Sequence, residues 1–322
     1  MTDCYIGIDT SNYTTSAAVC DADGEVVANL KIPLPVKAGE RGLRQSDAVF
    51  HHVKNMPELM QSLKTELARG EYAPVAIGVS ATPRDVQGSY MPCFLSGRAA
   101  AYSAAAVSGV PVYEFSHQSG HVMAAIYSSG AASRLMEQDR FLAFHVSGGT
   151  TEALLVRPAD AGFDIELVGQ TDDINAGQAI DRVGVAMGLA FPCGRELESY
   201  AAGYVGKVHR HKVCVRDGSC SLSGAENIAL KIYGQTGDVS AAAAFLFDFI
   251  GDTLSEMAQQ LLQKYGSMPV LFAGGVMSNK LMREKLSSRC EAYFAEPAYS
   301  ADNAAGTALL CRAKHLMNAR DH

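Results

Sequence analysis

Two stretches of the chain share one arrangement: DTSNYTTSAAVCDADGEVVA at residues 9–28 and HVSGGTTEALLVRPADAGFDIELVG at residues 145–169. Each pattern predicts the end of a strand, a loop of Ser, Thr or Gly, a second strand, a turn and a third strand. A repeated supersecondary unit indicates duplication of a whole lobe. The alternative is that any two hairpins look alike, so the elements after each hairpin decide between the two interpretations.

The segments after each hairpin alternate between helix and strand. After the first hairpin we predict helices over 46–68 and 95–108, strands over 75–79 and 110–115, and a helix from near residue 117. After the second we predict helices over 176–188, 196–202 and 240–265, a strand over 270–272, a helix from near 278, a strand over 292–295 and a helix over 302–317. The matched order favours duplicated β-β-β-α-β-α lobes. This order predicts an α/β fold with the two-lobed actin-like ATPase (ASKHA) architecture, in which a ligand sits in a cleft between the lobes.

Length and composition agree with two lobes. The 322 residues are more than one ordinary domain needs, and 48% of them are hydrophobic, enough for two cores. We predict an N-terminal lobe over 1–130, a C-terminal lobe over 131–300, and a C-terminal helix within 301–322 that packs towards the N-terminal lobe.

Charge and cysteine content limit the classes of function. The net charge of -7 gives no general attraction for nucleic acid, so an RNA substrate would need a local basic patch or a partner that presents it. The only dense basic run, KVHRHK at 207–212, has two interpretations, contact with RNA phosphates or a solvated loop. The sequence has eight cysteines without a CxxC pair, an N-terminus unlike a signal peptide and no apolar run of about 20 residues. These features predict a cytoplasmic protein with reduced thiols and no membrane span.

Glycine-rich segments follow two predicted strands. The loop Ser147-Gly148-Gly149-Thr150-Thr151 offers backbone N–H groups and three hydroxyls, which favours a phosphate-binding loop over an ordinary hairpin turn. The segment from Gly274 to Asn279 joins a strand to a helix, a place where nucleotides meet exposed amides. Asn279 either caps that helix or contacts a ribose.

Three further residues suggest a metal site. His117 and His121 stand four apart on a predicted helix, so both imidazoles project from one face and suit a divalent metal. A third ligand is needed, and Asp302 is the best candidate. Of the carboxylates near 172–181, Asp172 and Asp173 are expected at a helix N-terminus, whereas Asp181 either accepts a ligand hydroxyl or lies on a solvated face.

These motifs together resemble the TsaD (Gcp, glycoprotease) family of tRNA N6-adenosine threonylcarbamoyltransferases. The similarity includes IGIDTS, AVFHHVKNMPELM, SHQSGHVMA, FHVSGGTTEALLV, DDINAGQAIDRVGVAMGLAFPCG, AGGVMSNKLMREKL and SADNAAG. It implies His117, His121 and Asp302 as ligands of one divalent metal, iron or zinc. It also implies a set of substrate-binding residues: Val146, Ser147, Gly148, Gly149, Thr150, Asp181, Gly194 and Asn279.

The resemblance implies transfer of a threonylcarbamoyl group from its adenylate to N6 of the tRNA adenosine next to the anticodon. The tRNA would be presented with partner proteins, and both a homodimer and a heterodimer are open. Four segments depart from the family pattern: Asn12-Tyr13-Thr14, the 81–88 segment in place of Gly-Pro-Gly-Leu, Thr150, and Pro192-Cys193-Gly194-Arg195 in place of Pro-Gly-Gly-Pro. These departures predict a divergent paralogue.

Two alternatives are open at this point. A paralogue of the family would bind an adenylate or nucleotide and serve a different acceptor or a regulatory role. A glycoprotease-type metallopeptidase is disfavoured, because Gln118 follows His117 where an HExxH peptidase has its glutamate base.

Overall fold

A computed structural model describes residues 1–11, 13–35 and 43–320. Asn12, one of the predicted departures from the family, lies outside these residues. The chain divides into two compact units. Unit 1 comprises Met1–Tyr127, Pro158–Asp164 and Ala301–His322, and unit 2 comprises Ser128–Arg157 and Ile165–Ser300.

Strands and helices alternate along both units. The strands are β1 (Thr2–Ser11), β2 (Thr14–Asp21), β3 (Val26–Pro33), β4 (Tyr72–Thr82), β5 (Val112–Ser116), β6 (Phe141–Val146), β7 (Thr151–Ala159), β8 (Gly162–Gln170), β9 (Val215–Arg216), β10 (Ser219–Cys220), β11 (Val270–Ala273) and β12 (Ala292–Phe294). The helices are α1 (Gln45–Arg69), α2 (Phe94–Ser108), α3 (His117–Ser128), α4 (Ala132–Met136), α5 (Ala176–Ala186), α6 (Gly194–Ala202), α7 (Ser223–Thr236), α8 (Val239–Tyr265), α9 (Lys280–Ser287), α10 (Pro297–Ser300) and α11 (Ala305–Arg320).

The sheet of unit 1 has the order β3-β2-β1-β4-β5. β1 pairs antiparallel with β2 and parallel with β4, so the hairpin lies on one side and the crossover strands on the other. Helix α11 packs against β1 and β4 because both strands carry a glycine at the contact. A Cβ atom added at Gly78 would lie 2.7 Å from the Cβ of Cys311.

The sheet of unit 2 repeats this plan in the order β12-β11-β6-β7-β8. β6 pairs antiparallel with β7 and parallel with β11, as β1 does with β2 and β4. Phe144, Phe272 and Phe294 stack across the three neighbouring strands, with ring centroids 5.0 and 5.4 Å apart. The predicted duplication and the α/β actin-like architecture are confirmed.

Several elements differ from the sequence prediction. Helix α7 and the β9–β10 hairpin were not predicted, since α7 buries mainly Ala225, Ala229 and Ile232, which give a weak apolar pattern. Helix α11 begins at Ala305 instead of residue 302, because the side chain of Asn303 accepts the N–H of Ala305 (3.0 Å). Within the described residues, the helices include none with the length and apolarity that a membrane crossing requires.

Candidate functional site

Two histidines and an aspartate of unit 1 converge. His117 and His121 occupy successive turns of α3, with ring centroids 4.3 Å apart. The Oδ1 atom of Asp302 lies 3.4 Å from Nε2 of His121 and 3.8 Å from Nε2 of His117. One ligand atom from each residue falls within 4.8 Å of the others, a separation that a single bound cation can bridge. All three side chains are half-buried.

Close helix packing brings Asp302 to the histidines. Gly120 of α3 and Gly306 of α11 leave no room for side chains, because a Cβ atom at Gly306 would collide with the carbonyl oxygen of Gly120. Thr307 adds a buried hydroxyl contact, with its Oγ1 atom 3.1 Å from Oγ of Ser80 on β4. The segment just before α11 is thereby fixed beside α3.

A buried carboxylate supports His117 from the other side of its ring. The Oδ2 atom of Asp9, at the end of β1, lies 2.8 Å from Nδ1 of His117. Burial works against the charged form of Asp9, but the charge and hydrogen bond of His117 lower its pKa. Burial likewise works against the imidazolium of His117, but Asp9 and then Asp302 raise its pKa to about 9. This arrangement leaves Nε2 of His117 facing Asp302.

The 81–88 segment, one of the predicted departures from the family pattern, is attached to the same helix. Asp85 accepts hydrogen bonds from the hydroxyls of Ser116 (2.5 Å) and Ser119 (2.7 Å). The backbone N–H of Gln118 donates to the carbonyl of Pro83 at 3.1 Å. This segment therefore contacts the turn that carries His117.

Unit 2 contains another group with metal-binding residue types: His211, Asp248 and Asp252. A lysine of the chain already neutralises these carboxylates, because Nζ of Lys285 lies 2.5 Å from Asp248 and 2.7 Å from Asp252. Nε2 of His211 lies 3.1 Å from Asp252, and the ring packs on Phe249. His211, part of the basic 207–212 run, is thus held by its own unit.

The glycine-rich loop of unit 2 is a compact turn after β6. The Oγ atom of Ser147 accepts the N–H groups of Gly149 (3.2 Å) and Thr150 (3.1 Å). The N–H of Gly177 donates to the carbonyl of Ser147, and a Cβ atom at Gly177 would lie 2.7 Å from Gly148. Helix α5 therefore supports the loop from one side, whereas Cβ atoms at Gly148 and Gly149 would point into open space.

A pocket of about 430 Å³ lies beside this loop, within unit 2. Four of the predicted substrate-binding residues line it: Gly148, Asp181, Gly194 and Asn279. Val146 is buried behind them at the end of β6, and Ser147, Gly149 and Thr150 form the adjoining turn. Residues not predicted also line the pocket, notably Glu198, Arg195 and Phe247.

Backbone groups hold the two carboxylates of the pocket. Asp181 accepts the N–H of Cys193 at 2.8 Å, and Glu198 accepts the N–H of Lys280 at 2.7 Å. Burial raises the pKa of Asp181, and the bond from Cys193 offsets part of this shift. Each carboxylate keeps a second oxygen that can accept a hydrogen bond from a ligand.

Asn279 has an unpaired donor. Its Oδ1 atom accepts the N–H of Met282 at 3.0 Å and caps α9, so the predicted capping role is real. Its side chain is only 4% exposed, and its Nδ2 group has no hydrogen-bond partner among the described residues. A buried donor without a partner costs about 1–3 kcal/mol.

Comparison with known proteins identifies the family. The model of the TsaD family, described as tRNA N6-adenosine threonylcarbamoyltransferase, matches residues 32–309. A protein of that description from Streptococcus pneumoniae (strain Taiwan19F-14) is 30% identical over 301 residues, which cover 89% of this chain and 84% of the relative. This chain belongs to the TsaD family.

Solved structures place this TsaD-family chain in the ASKHA fold. The 2-hydroxyisocaproyl-CoA dehydratase activator from Clostridium difficile, solved with ADPNP, aligns with TM-score 0.53 and 11% identity over 99% of this chain and 98% of its own. A ROK-family glucokinase from Streptomyces griseus, solved with glucose and AMPPNP, aligns with TM-score 0.55 and 14% identity over 96% of this chain and 99% of its own. At these identities the similarity shows the fold alone.

Proposed function

We propose that this chain is a metal-dependent transferase that moves a threonylcarbamoyl group from threonylcarbamoyl adenylate to N6 of the tRNA adenosine next to the anticodon. The observation that carries the proposal is that a chain of the TsaD family keeps His117, His121 and Asp302 within reach of one cation. The proposal includes a cytoplasmic location and partner proteins that present the tRNA, since a net charge of -7 gives the chain little attraction for RNA.

The adenylate would bind in the pocket of unit 2. The backbone N–H of Gly148 suits a phosphate, because the two glycines let an anion approach the main chain, whereas the N–H groups of Gly149 and Thr150 already donate to Oγ of Ser147. Asp181 suits a ribose hydroxyl, and the unpaired Nδ2 group of Asn279 suits a ribose oxygen or a ring nitrogen.

The donor set of unit 1 fits a divalent iron or zinc ion. Two imidazoles and one carboxylate are ligands that both metals accept, and three protein ligands leave coordination positions for a substrate. When bound, such an ion acts as a Lewis acid that polarises an acyl oxygen. Asp9 fixes the ring orientation of His117 and selects the tautomer whose Nε2 atom is free to bind the metal.

The proposed reaction is acyl transfer with balanced bonds. The N6 amine attacks the carbamoyl carbon, a new N–C bond forms, and the bond from that carbon to the phosphate oxygen breaks. AMP leaves with the electron pair, and the proton lost from N6 passes to solvent. The main-chain amide of Gly148 would stabilise the charge that develops on the departing phosphate.

Reconstitution tests the proposal. Purified protein is incubated with candidate partner proteins, threonylcarbamoyl adenylate and unmodified tRNA, and the nucleosides are analysed by mass spectrometry. We expect threonylcarbamoyladenosine with the wild type and none with the double variant His117→Ala/His121→Ala. Absence of the product under conditions in which another TsaD-family protein forms it would contradict the proposal.

A second candidate is a nucleotide-binding paralogue without this transfer activity. The loop around Asp85 and the Pro192–Arg195 segment favour it, because both are predicted departures from the family pattern and lie beside the two candidate sites. This candidate predicts nucleotide affinity that survives replacement of His117 and His121 by alanine, together with no modified tRNA in the reconstituted reaction.

A further inference from the structure

Arg195 is an arginine without an internal partner in the pocket of unit 2. It is the second residue of α6 and lines the same pocket as Asp181 and Asn279. Across the described parts of the chain its guanidinium makes neither a hydrogen bond nor an ion pair, whereas Arg182 on α5 pairs with Glu226 at 3.3 Å.

The charges around Arg195 indicate which part of a nucleotide it meets. Asp181 and Glu198 line the pocket with it, and backbone N–H groups hold both carboxylates in place. Two carboxylates accept hydrogen bonds from hydroxyl and amino groups but repel a phosphate. The amide that suits a phosphate is that of Gly148, in the turn after β6, whereas Arg195 belongs to α6. On this charge argument we assign Arg195 to the ribose and base side of the ligand.

The rest of the lining suits a flat, apolar ring. Ile180, Phe247 and Val276 contribute aliphatic and aromatic surface to the same pocket. A guanidinium is planar and stacks on aromatic faces, where it gains both dispersion and cation–π attraction. The guanidinium of Arg195 therefore needs no carboxylate partner when an aromatic ring covers it.

We infer that Arg195 stacks on the purine ring of the bound nucleotide and is a specificity-determining residue for purines. The inference rests on the proposed function, because it assumes that an adenine nucleotide occupies the pocket of unit 2. The contribution of Arg195 to affinity would depend on the base of the nucleotide and not on its number of phosphates.

Calorimetric titration of adenosine, AMP, ATP and CMP tests this assignment. The proteins are the wild type, Arg195→Ala, Arg195→Lys and the control Arg157→Ala, which removes an arginine that does not line the pocket. We expect Arg195→Ala to weaken adenosine, AMP and ATP by one common factor, about 3- to 30-fold. CMP should lose less, and lysine should restore little, because it keeps the charge without the plane.

Other outcomes overturn the inference in separable ways. A loss that grows from adenosine to ATP, or full recovery with lysine, would assign Arg195 to a phosphate. Unchanged affinity in Arg195→Ala would remove it from the binding site while leaving the proposed function intact. A wild-type protein that binds none of the adenine ligands would overturn the inference and the proposed ligand together. Thermal unfolding of both variants should match the wild type, since Arg195 is exposed.

Discussion

Nδ1 of His117 lies 2.8 Å from Oδ2 of Asp9, a carboxylate only 1% exposed and 108 residues away in the chain. A carboxylate behind a metal-binding imidazole fixes the ring and raises its basicity as a ligand. We therefore expect Asp9→Asn to weaken metal affinity by about 10- to 100-fold. Competition with a chromophoric chelator would measure the change for zinc and for iron separately.

The matched control is a variant in the other candidate metal-binding group, that of unit 2. His211→Ala removes the imidazole beside Asp252 but leaves His117, His121 and Asp302 in place. We expect its metal content to equal that of the wild type, because Lys285 already neutralises the two carboxylates there. Stoichiometric metal lost in His211→Ala but retained in His117→Ala would reverse the assignment.

Metal uptake should depend on pH with a defined sign. Asp9 and Asp302 raise the pKa of His117 to about 9 in the metal-free protein, so its imidazole is protonated at neutral pH. Binding to Nε2 must displace that proton, and apparent affinity should rise about tenfold per pH unit below pH 9 and then level off. The same measurement on Asp9→Asn should show a plateau that begins at lower pH.

The metal-free protein should show the opposite trend in stability. A raised imidazole pKa stabilises the fold fully below the unfolded value of 6.5, and this contribution disappears as pH rises through about 9. The difference in unfolding free energy between the wild type and His117→Ala should shrink over that window in the presence of a chelator. A difference that grows with pH would contradict the Asp9–His117 pairing.

Asp173 gives a second pH-dependent prediction, in unit 2. Its carboxylate accepts the N–H groups of Leu222 (2.8 Å) and Ser223 (3.0 Å) and so caps α7. Partial burial opposes ionisation, but these hydrogen bonds lower its pKa. We expect Asp173→Ala to cost about 1 kcal/mol at neutral pH, measured by urea unfolding. The cost should vanish as pH falls through the lowered pKa, while Asp172→Ala should cost little.

The sequence predicts local features of these sites better than distant ones. The spacing of His117 and His121 places both on one helix face, and the SGG loop follows a strand, because these relations span a few residues. The support from Asp9 was not predicted, since β1 and the β5–α3 segment are distant in the chain and come together only through β4, which lies between β1 and β5 in the folded sheet. Asp173 was expected near the start of α5, but Asn175 caps that helix. Asp173 instead caps α7, which was not predicted because its small apolar residues gave no clear pattern.

Two glycines around the 147–150 turn allow effects on ligand binding to be tested separately from effects on stability. A Cβ atom at Gly148 would meet no protein atom within 4 Å, whereas one at Gly177 would lie 2.7 Å from the Gly148 backbone. We expect Gly148→Ala to unfold like the wild type yet bind adenine nucleotides at least tenfold more weakly, because the methyl group enters the space near the amides. Gly177→Ala should instead lose stability by about 1–3 kcal/mol, because the overpacked α5 must move away from the turn. Calorimetric titration and thermal unfolding of both variants measure the two effects, and unchanged affinity in Gly148→Ala would show that the ligand does not contact this turn.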